Sequence, residues 1–287
     1  MSEELPAQPT TNHRPFRHYT LRHRVVAWLS VNLFDGVTYT VRHGLLQGMK
    51  RKGGLGWLPG RFSSILDTPE YRFWKNLDLT GQTVYDVGSF QGLLALYFAR
   101  TAKQVICYEP NPRNRARLQE NVALNRLTNV RVRDVGLGSK PGQFEMVFNP
   151  LMAGGGSIDQ KTVDQLLKSG TPAVRVRIQI ATLDQDRRDE ALPEPDFIKI
   201  DTEGLELDVL KGALNTLERR PALFLEMHGE TMDEKKRKVA EIVALLEEVG
   251  YDIRHVESGT VITSPNSAVA AEGHLYCVPP LLGSLGS

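Results

Sequence analysis

Five acidic residues, Asp86, Glu109, Asp134, Asp201 and Glu226, each close a short apolar run, and His228 follows the last of them by two positions. Carboxylates and an imidazole at strand ends can accept hydrogen bonds from hydroxyls, hold a cation or take a proton. In an open parallel sheet ligands bind beyond the carboxyl ends of the strands, so these positions are where chemistry is expected. Lys199 and Asp201 share one face of their strand by period-two geometry, while Ile198 and Ile200 take the other. A lysine in a central strand needs a carboxylate beside it, and Asp201 or Glu203 is the obvious partner. Among these groups only His228 has an unperturbed pKa near neutrality, about 6.5, which makes it the candidate general base for a hydroxyl. Asp201, Glu203 and Lys199 complete the candidate catalytic set. Each also has a plain structural role open to it, Lys199 as an ion-pair brace and Glu203 as a first-turn helix charge.

The turn after the first of these strands runs Val84-Tyr-Asp-Val-Gly-Ser-Phe-Gln-Gly92. A dinucleotide fingerprint needs G-x-G-x-x-G, and after Gly88 the second glycine slot holds Phe90, too large for the turn to close on a pyrophosphate. Asp86 would also repel a phosphate across a low-dielectric cleft. A cationic ligand without phosphate is favoured, and S-adenosylmethionine, with its sulfonium and ammonium, fits. Gly88 and Gly92 would let the backbone approach the ligand, and Asp86 would order the turn or face the cationic end. Glu109 lies 23 positions after Asp86 (109 − 86) at the tip of the next strand, placed to accept from both ribose hydroxyls. NAD enzymes use that position in the same way, so Glu109 alone does not discriminate. Asp134 could accept from the adenine amino group, with Val135 and Leu137 as apolar walls. Ser89 and Pro110, within the two turns, complete the candidate cofactor set.

The elements that must position these residues follow from periodicity. Strands are expected at 83–87, 104–109, 130–134, 174–180, 197–201, 222–226, 251–256 and 274–278, with helices at 93–100, 112–125, 205–217 and 231–249 between them. Asn111 and Pro112 read as an N-cap and first helical residue, and Gly250 as a helix stop. The alternation of strand and helix predicts an α/β fold with a mostly parallel sheet. Strict alternation from Val174 to Ile180 suits a half-exposed antiparallel or edge strand. Residues 1–15 read as a flexible tail, 16–80 as a basic helical segment acting as lid and acceptor selector, and 81–287 as the catalytic domain. The glycine-rich loop Met152-Ala-Gly-Gly-Gly-Ser157 is either a flap over the acceptor or a connector.

Composition narrows the class. The chain has 287 residues, 41% hydrophobic and 24% charged, which is ordinary for a globular protein and excludes collagen, coiled coil and disorder as whole-chain descriptions. Lys and Arg total 35 against 34 Asp and Glu, so phosphate neutralisation does not dominate and no nucleic-acid partner is expected. The first 75 residues nonetheless hold 11 basic and 5 acidic residues, a surplus of 6. Cys107 and Cys277, far apart and in apolar runs, exclude a disulfide scaffold or zinc cluster and suit a reducing, cytoplasmic compartment. The apolar stretch 25–41 is interrupted by Asn32, Asp35 and Gly36 and is too short to span a bilayer. A peripheral membrane contact through Trp28, Leu29, Leu33 and Phe34 is the alternative to packing on the main domain.

Taken together, the glycine turn, Tyr108-Glu-Pro-Asn-Pro112, Phe197-Ile-Lys-Ile-Asp-Thr-Glu-Gly204 with Glu206 and Leu210, and Leu225-Glu-Met-His228 resemble the FkbM-type family of S-adenosylmethionine-dependent methyltransferases over roughly residues 80–280. The resemblance implies a Rossmann-like class I methyltransferase sheet with an antiparallel C-terminal strand. It also implies O-methylation of a hydroxyl on a saccharide or natural product. Ser89 and Gln91 depart from the Ala and Asn that many relatives carry in the turn. No metal ligand is assigned and metal dependence stays open: clustered Asp201, Glu203 and Glu226 could hold Mg²⁺, but a cationic Lys199 beside them argues against it. The rivals are an NAD(P)-dependent oxidoreductase on the same sheet and a non-catalytic cofactor-binding module that docks an anionic partner through the basic front. A homo-oligomer is compatible with either.

Overall fold

The computed structural model describes residues 35–53, 68–148, 156–157 and 173–280. Its centre is an eight-stranded sheet. In chain order the strands are β3 (Thr83–Val87), β4 (Gln104–Tyr108), β5 (Val130–Arg133), β10 (Phe197–Ile200), β11 (Ala222–Glu226), β12 (Asp252–His255), β13 (Val261–Ile262) and β14 (His274–Val278). Their spatial order is β13-β12-β14-β11-β10-β3-β4-β5. The five strands from β11 to β5 are parallel, and β14 inserts antiparallel between β11 and β12. Strand order reverses beside β3, which opens a crevice beyond the tips of β3 and β10. All five residues of β3 are buried, as a central strand covered on both faces requires.

The two faces carry different layers. On one, Val84, Val105, Phe197 and Phe224 pack against Trp74 of α1 (Pro69–Asn76), Phe98 of α2 (Leu93–Phe98) and Leu118 of α3 (Pro112–Leu124). On the other, Tyr85, Ile106, Ile198 and Leu225 meet Leu183 of α4 (Leu183–Asp189), Val209 of α5 (Glu206–Lys211), Leu217 of α6 (Leu214–Leu217) and Val243 of α7 (Met232–Val249). Asn111 caps α3 as expected, its side chain accepting from the Arg113 N–H at 3.0 Å, and Gly250 ends α7 in the left-handed region.

Four expectations are corrected. Part of the segment expected to be helical forms strands β1 (Thr38–Thr40) and β2 (Lys50–Lys52), paired antiparallel, because Val37, Tyr39 and Val41 alternate and Gly44 and Gly48 take positive φ between them. This hairpin is fastened to α3: Asn121 and Asn125 accept from the backbone of Lys52 and Lys50, and Arg117 pairs with Asp35. Helix α1 also belongs to the main body, with Trp74 only 1% exposed. The helix expected over 205–217 is two. It breaks at Gly212, whose backbone lies so close to Gly138 that a Cβ would stand 2.1 Å from that carbonyl oxygen, and Asp184 caps the restart by accepting from the backbone of Asn215 and Thr216.

The third strand ends at Arg133, and Asp134 is an exposed corner. There the chain leaves for a second sheet of order β6-β9-β7-β8, made of β6 (Val135–Leu137), β7 (Gly142–Phe148), β8 (Gly156–Ser157) and β9 (Val174–Ala181). Strand β9 is half-exposed and pairs antiparallel with β7, as its alternation predicts; it is interior to that sheet, with β6 parallel on its other side. Among the described residues no helix is long and apolar enough to cross a membrane. The apolar stretch around Trp28 and most of the glycine-rich loop at 152–157 lie outside the described residues.

Candidate active site

The glycine turn is built by contacts from beneath. Gly88 (φ 77°) packs on the tip of β10, where a Cβ would stand 1.8 Å from the Asp201 carbonyl oxygen, and Gly92 (φ 84°) packs on Leu118. These glycines are therefore demanded by the protein's own packing, before any ligand is considered. Ser89 is buried and its hydroxyl donates to the Asp86 carbonyl at 2.6 Å. Phe90 takes φ 50°, and its N–H donates to Glu109 Oε2 at 2.8 Å.

The Asp86 carboxylate lies beneath this turn and does not open onto the crevice: it is 1% exposed, and neither of its oxygens has a hydrogen-bond partner. Its ionic partner is Lys199, whose Nζ lies 3.4 Å from Asp86 Oδ1 and 3.1 Å from Asp201 Oδ2, and donates to the Gly88 carbonyl at 3.0 Å. Burial alone would lower the Lys199 pKa, but Asp201 and Asp86 together raise it above the ordinary value. Burial raises that of Asp86 against the pull of Lys199. Lys199 thus welds the tips of β3 and β10 together, and its charge is spent there.

Above this brace the loop 201–204 turns sharply, with Glu203 at φ 54° and Gly204 at φ 107°. Glu206, in the first turn of α5 and 1% exposed, holds it. One carboxylate oxygen accepts from the N–H groups of Thr202 (3.1 Å) and Gly204 (2.9 Å) and lies 3.0 Å from His228 Nδ1. His228 is thereby oriented, and its Nε2 faces Glu226 Oε1 at 3.5 Å, Glu203 Oε2 at 3.7 Å and Asp201 Oδ1 at 3.8 Å. Burial opposes charge on the ring, yet Glu206, Glu203 and Glu226 push its pKa up to about 9. Glu203 is partly withdrawn from water and crowded by Asp201, Glu226 and Glu206, and it rises to about 7 despite His228. Glu226 is held down to about 2, against its burial, by His274, His228 and Lys199.

Four carboxylates therefore converge around two cations. One ligand atom each from Asp201, Glu203 and His228 lies within 4.8 Å of the others, a set that could hold a metal ion. Lys199 already supplies a positive charge to the far oxygen of Asp201.

The other candidate cofactor residues sit across the glycine turn. Glu109 is 6% exposed; its Oε1 accepts from the Asn111 N–H at 2.9 Å, and burial pushes it up to about 7 against these hydrogen bonds. Pro110 packs near Gly136, while Asp134 is exposed and Val135 half-buried beside them. The sequence-predicted residues thus form two clusters, one from Lys199 to His228 and one from Phe90 to Val135, flanking a single turn.

Glu206 and His274 are the site groups that the sequence pattern does not single out. Glu206 looks like an ordinary first-turn helix charge; only the fold brings it to His228. His274 stands opposite Glu226 in the antiparallel register, with its Nε2 3.8 Å from Glu226 and its Nδ1 2.5 Å from Glu257 Oε1. The even spacing of Tyr276 and His274 from Phe224 and Glu226 was a signal only once the register was known.

A mostly parallel α/β sheet with an acid-lined crevice at its reversal point and an antiparallel strand inserted near one edge is a Rossmann-like, doubly wound fold. Residues 86–253 match the model of the methyltransferase FkbM domain. The chain belongs to that family, and it is a methyltransferase. Among curated relatives, the hexuronic acid methyltransferase AglP of Haloferax volcanii is 32% identical over 51% of this chain and 56% of its own length. The 2-O-methyltransferase NoeI of Sinorhizobium fredii is 26% identical over 59% of this chain and 73% of its own. The crystal structure of the methyltransferase FkbM from Methylobacillus flagellatus aligns with a TM-score of 0.45 at 18% identity, covering 73% of this chain and 50% of that one.

Proposed function

We infer that the protein uses S-adenosylmethionine to methylate a hydroxyl of a saccharide or related natural-product acceptor. One observation carries the reading: an imidazole fixed on Nδ1 by a buried carboxylate, with Nε2 turned into an acid-walled crevice beside the glycine turn. The donor set fits a cationic cofactor. Asp201, Glu203, Glu206 and Glu226 gather around His228 and Lys199, and a sulfonium and ammonium suit a crevice walled by these carboxylates. Two relatives named for methylating a hexuronic acid and a 2-hydroxyl add support for sugar O-methylation.

In this reading Glu109 accepts from the ribose hydroxyls, and Asp134 and Val135 border the adenine. The backbone of Gly88, Ser89, Phe90 and Gly92 shapes the turn, and Asp201 and Glu203 face the cationic end. The bound cofactor supplies an electrophilic methyl group. His228 accepts the acceptor's hydroxyl proton at Nε2, and Glu206, accepting from Nδ1–H, stabilises the imidazolium that forms. Lys199 and Asp86 keep the two strand tips in register, so the base stays aimed at the crevice. The ring must be neutral to act, so turnover rises with pH towards about 9 in the absence of other limits.

The test is methyl transfer from labelled S-adenosylmethionine to a panel of uronic and neutral sugars. Acceptor-dependent formation of adenosylhomocysteine is the expected result. Failure across the panel, together with NADH binding, would transfer the crevice to the oxidoreductase reading.

A further inference from the structure

Proton transfer to His228 leaves Glu226, His274 and Glu257 without a task, yet the three form an ordered row beside it. Glu226 on β11 and His274 on β14 are directly paired in the antiparallel register, so their side chains leave the same face of the sheet. Glu257 fastens His274 at two points: its Oε2 accepts from the His274 backbone N–H at 2.9 Å, and its Oε1 lies 2.5 Å from Nδ1. With Nδ1 turned to Glu257, Nε2 faces Glu226 Oε2 at 3.8 Å. The residue is buried, and its ring packs on Phe224 with centroids 4.9 Å apart, which fixes its plane. Burial opposes charge on this ring, but Glu226 and Glu257 raise its pKa to about 10, so it is a cation at neutral pH.

The consequence falls on the other oxygen of Glu226. With Oε2 drawn to His274, Oε1 stands 3.5 Å from His228 Nε2, longer than a good hydrogen bond between them but suited to a ligand that spans both. Hydroxyls on neighbouring carbons of a sugar ring stand about one hydrogen-bond length apart, ~2.8 Å. One can donate to His228 Nε2 while its neighbour donates to Glu226 Oε1, and the Glu226 side chain, 33% exposed, is open to such a ligand. The other two wall acids suit this less. Asp201 is shared with Lys199 at 3.1 Å, and Glu203 stands on the positive-φ loop and titrates at about 7, whereas Glu226, at about 2, stays ionised.

We propose that Glu226 is an acceptor-binding carboxylate, aimed by His274 and Glu257 as positioning residues, and that it selects acceptors with a second free hydroxyl on the ring carbon next to the one methylated. The assignment rests on the methyl-transfer reading of the crevice, and the two fail separately. Methyl glucuronoside, methyl glucoside and the monodeoxy ring analogues of each are the probes, with the methylated position read from labelled product. In the wild type, loss of one hydroxyl next to that position should lower kcat/KM about tenfold or more, as expected for a charge-assisted hydrogen bond. In Glu226→Gln this preference for the parent sugar should shrink about tenfold, with adenosylhomocysteine affinity unchanged. His274→Gln should shrink it too, and the double variant should lose no more than Glu226→Gln alone, because His274 acts through Glu226. A merely structural role for His274 would slow parent and analogue alike, and Glu226→Gln decides the matter should His274→Gln fail to fold. A preference undiminished in Glu226→Gln, its absence from the wild type, or rejection of both parent sugars by a chain that methylates other hydroxyls overturns the assignment. Weaker adenosylhomocysteine binding in Glu226→Gln with the preference kept also overturns it, by placing Glu226 on the cofactor. Absence of methyl transfer to any acceptor is instead the failure of the methyl-transfer reading.

Discussion

Replacing Glu206 with Gln removes the buried carboxylate that charges His228 while keeping its shape. His228 is raised from 6.5 to about 9 in the folded protein. A raised folded pKa stabilises the fold fully below the unfolded value and is lost as pH climbs through the folded one, here between about 6.5 and 9. At 1.36 kcal/mol per unit, the whole shift corresponds to about 3 kcal/mol. Glu203 and Glu226 remain near the ring in the variant, so the part owed to Glu206 is about 1.5–3 kcal/mol. Urea unfolding at pH 6 and pH 9 measures it. The wild type should outlast Glu206→Gln by that much more at pH 6 than at pH 9, because at pH 9 the wild-type ring has shed half its proton. Glu203, raised by burial to about 7 and also moved by His228 and Glu206, shares this window, and repeating the comparison in a Glu203→Gln background separates its share. An equal gap at the two values would mean that His228 is not charged by Glu206, and the orientation argument for the base would fall with it.

Gly88→Ala places a Cβ against the Asp201 carbonyl in a left-handed backbone. Left-handed strain and overpacking together predict a loss of about 2–5 kcal/mol in urea unfolding, with weaker adenosylhomocysteine binding. Lys199→Met leaves Asp86 buried without its cation and should cost about 3–5 kcal/mol at neutral pH, less in acid where the carboxyl protonates. His228→Gln should lower kcat by about 10²–10⁴-fold with little change in cofactor affinity, and unchanged turnover would remove it from the mechanism. Exhaustive dialysis against EDTA should leave turnover intact; loss restored by Mg²⁺ would assign the Asp201, Glu203 and His228 cluster to a metal.

Much of this architecture was legible before the fold was known, because local rules carried it. Period-two runs marked the strands, Asn111-Pro112 marked a helix start, and the two-residue step from Lys199 to Asp201 put an ion pair on one face. Elements decided by distant backbone were not legible. The break at Gly212 comes from the approach of Gly138, and the hairpin at 38–52 is fixed by Asn121 and Asn125, some seventy residues away. The same divide runs through the site. Asp201, Glu203 and His228 announced themselves at strand ends, and they do converge. Gly88 was expected to serve a ligand, whereas its contact with Asp201 is the nearer cause. Glu206 and His274 needed the crossover and the antiparallel register to reveal their partners.

Titration of the purified chain with adenosylhomocysteine and with NADH, side by side, addresses the central claim that the crevice receives a cationic sulfur donor and no diphosphate. Adenosylhomocysteine should bind with an affinity that falls at least about tenfold in Glu109→Gln, consistent with loss of charge-assisted ribose contacts, while NADH gives no heat. NADH binding that depends on Glu109, with no response to adenosylhomocysteine, would contradict it.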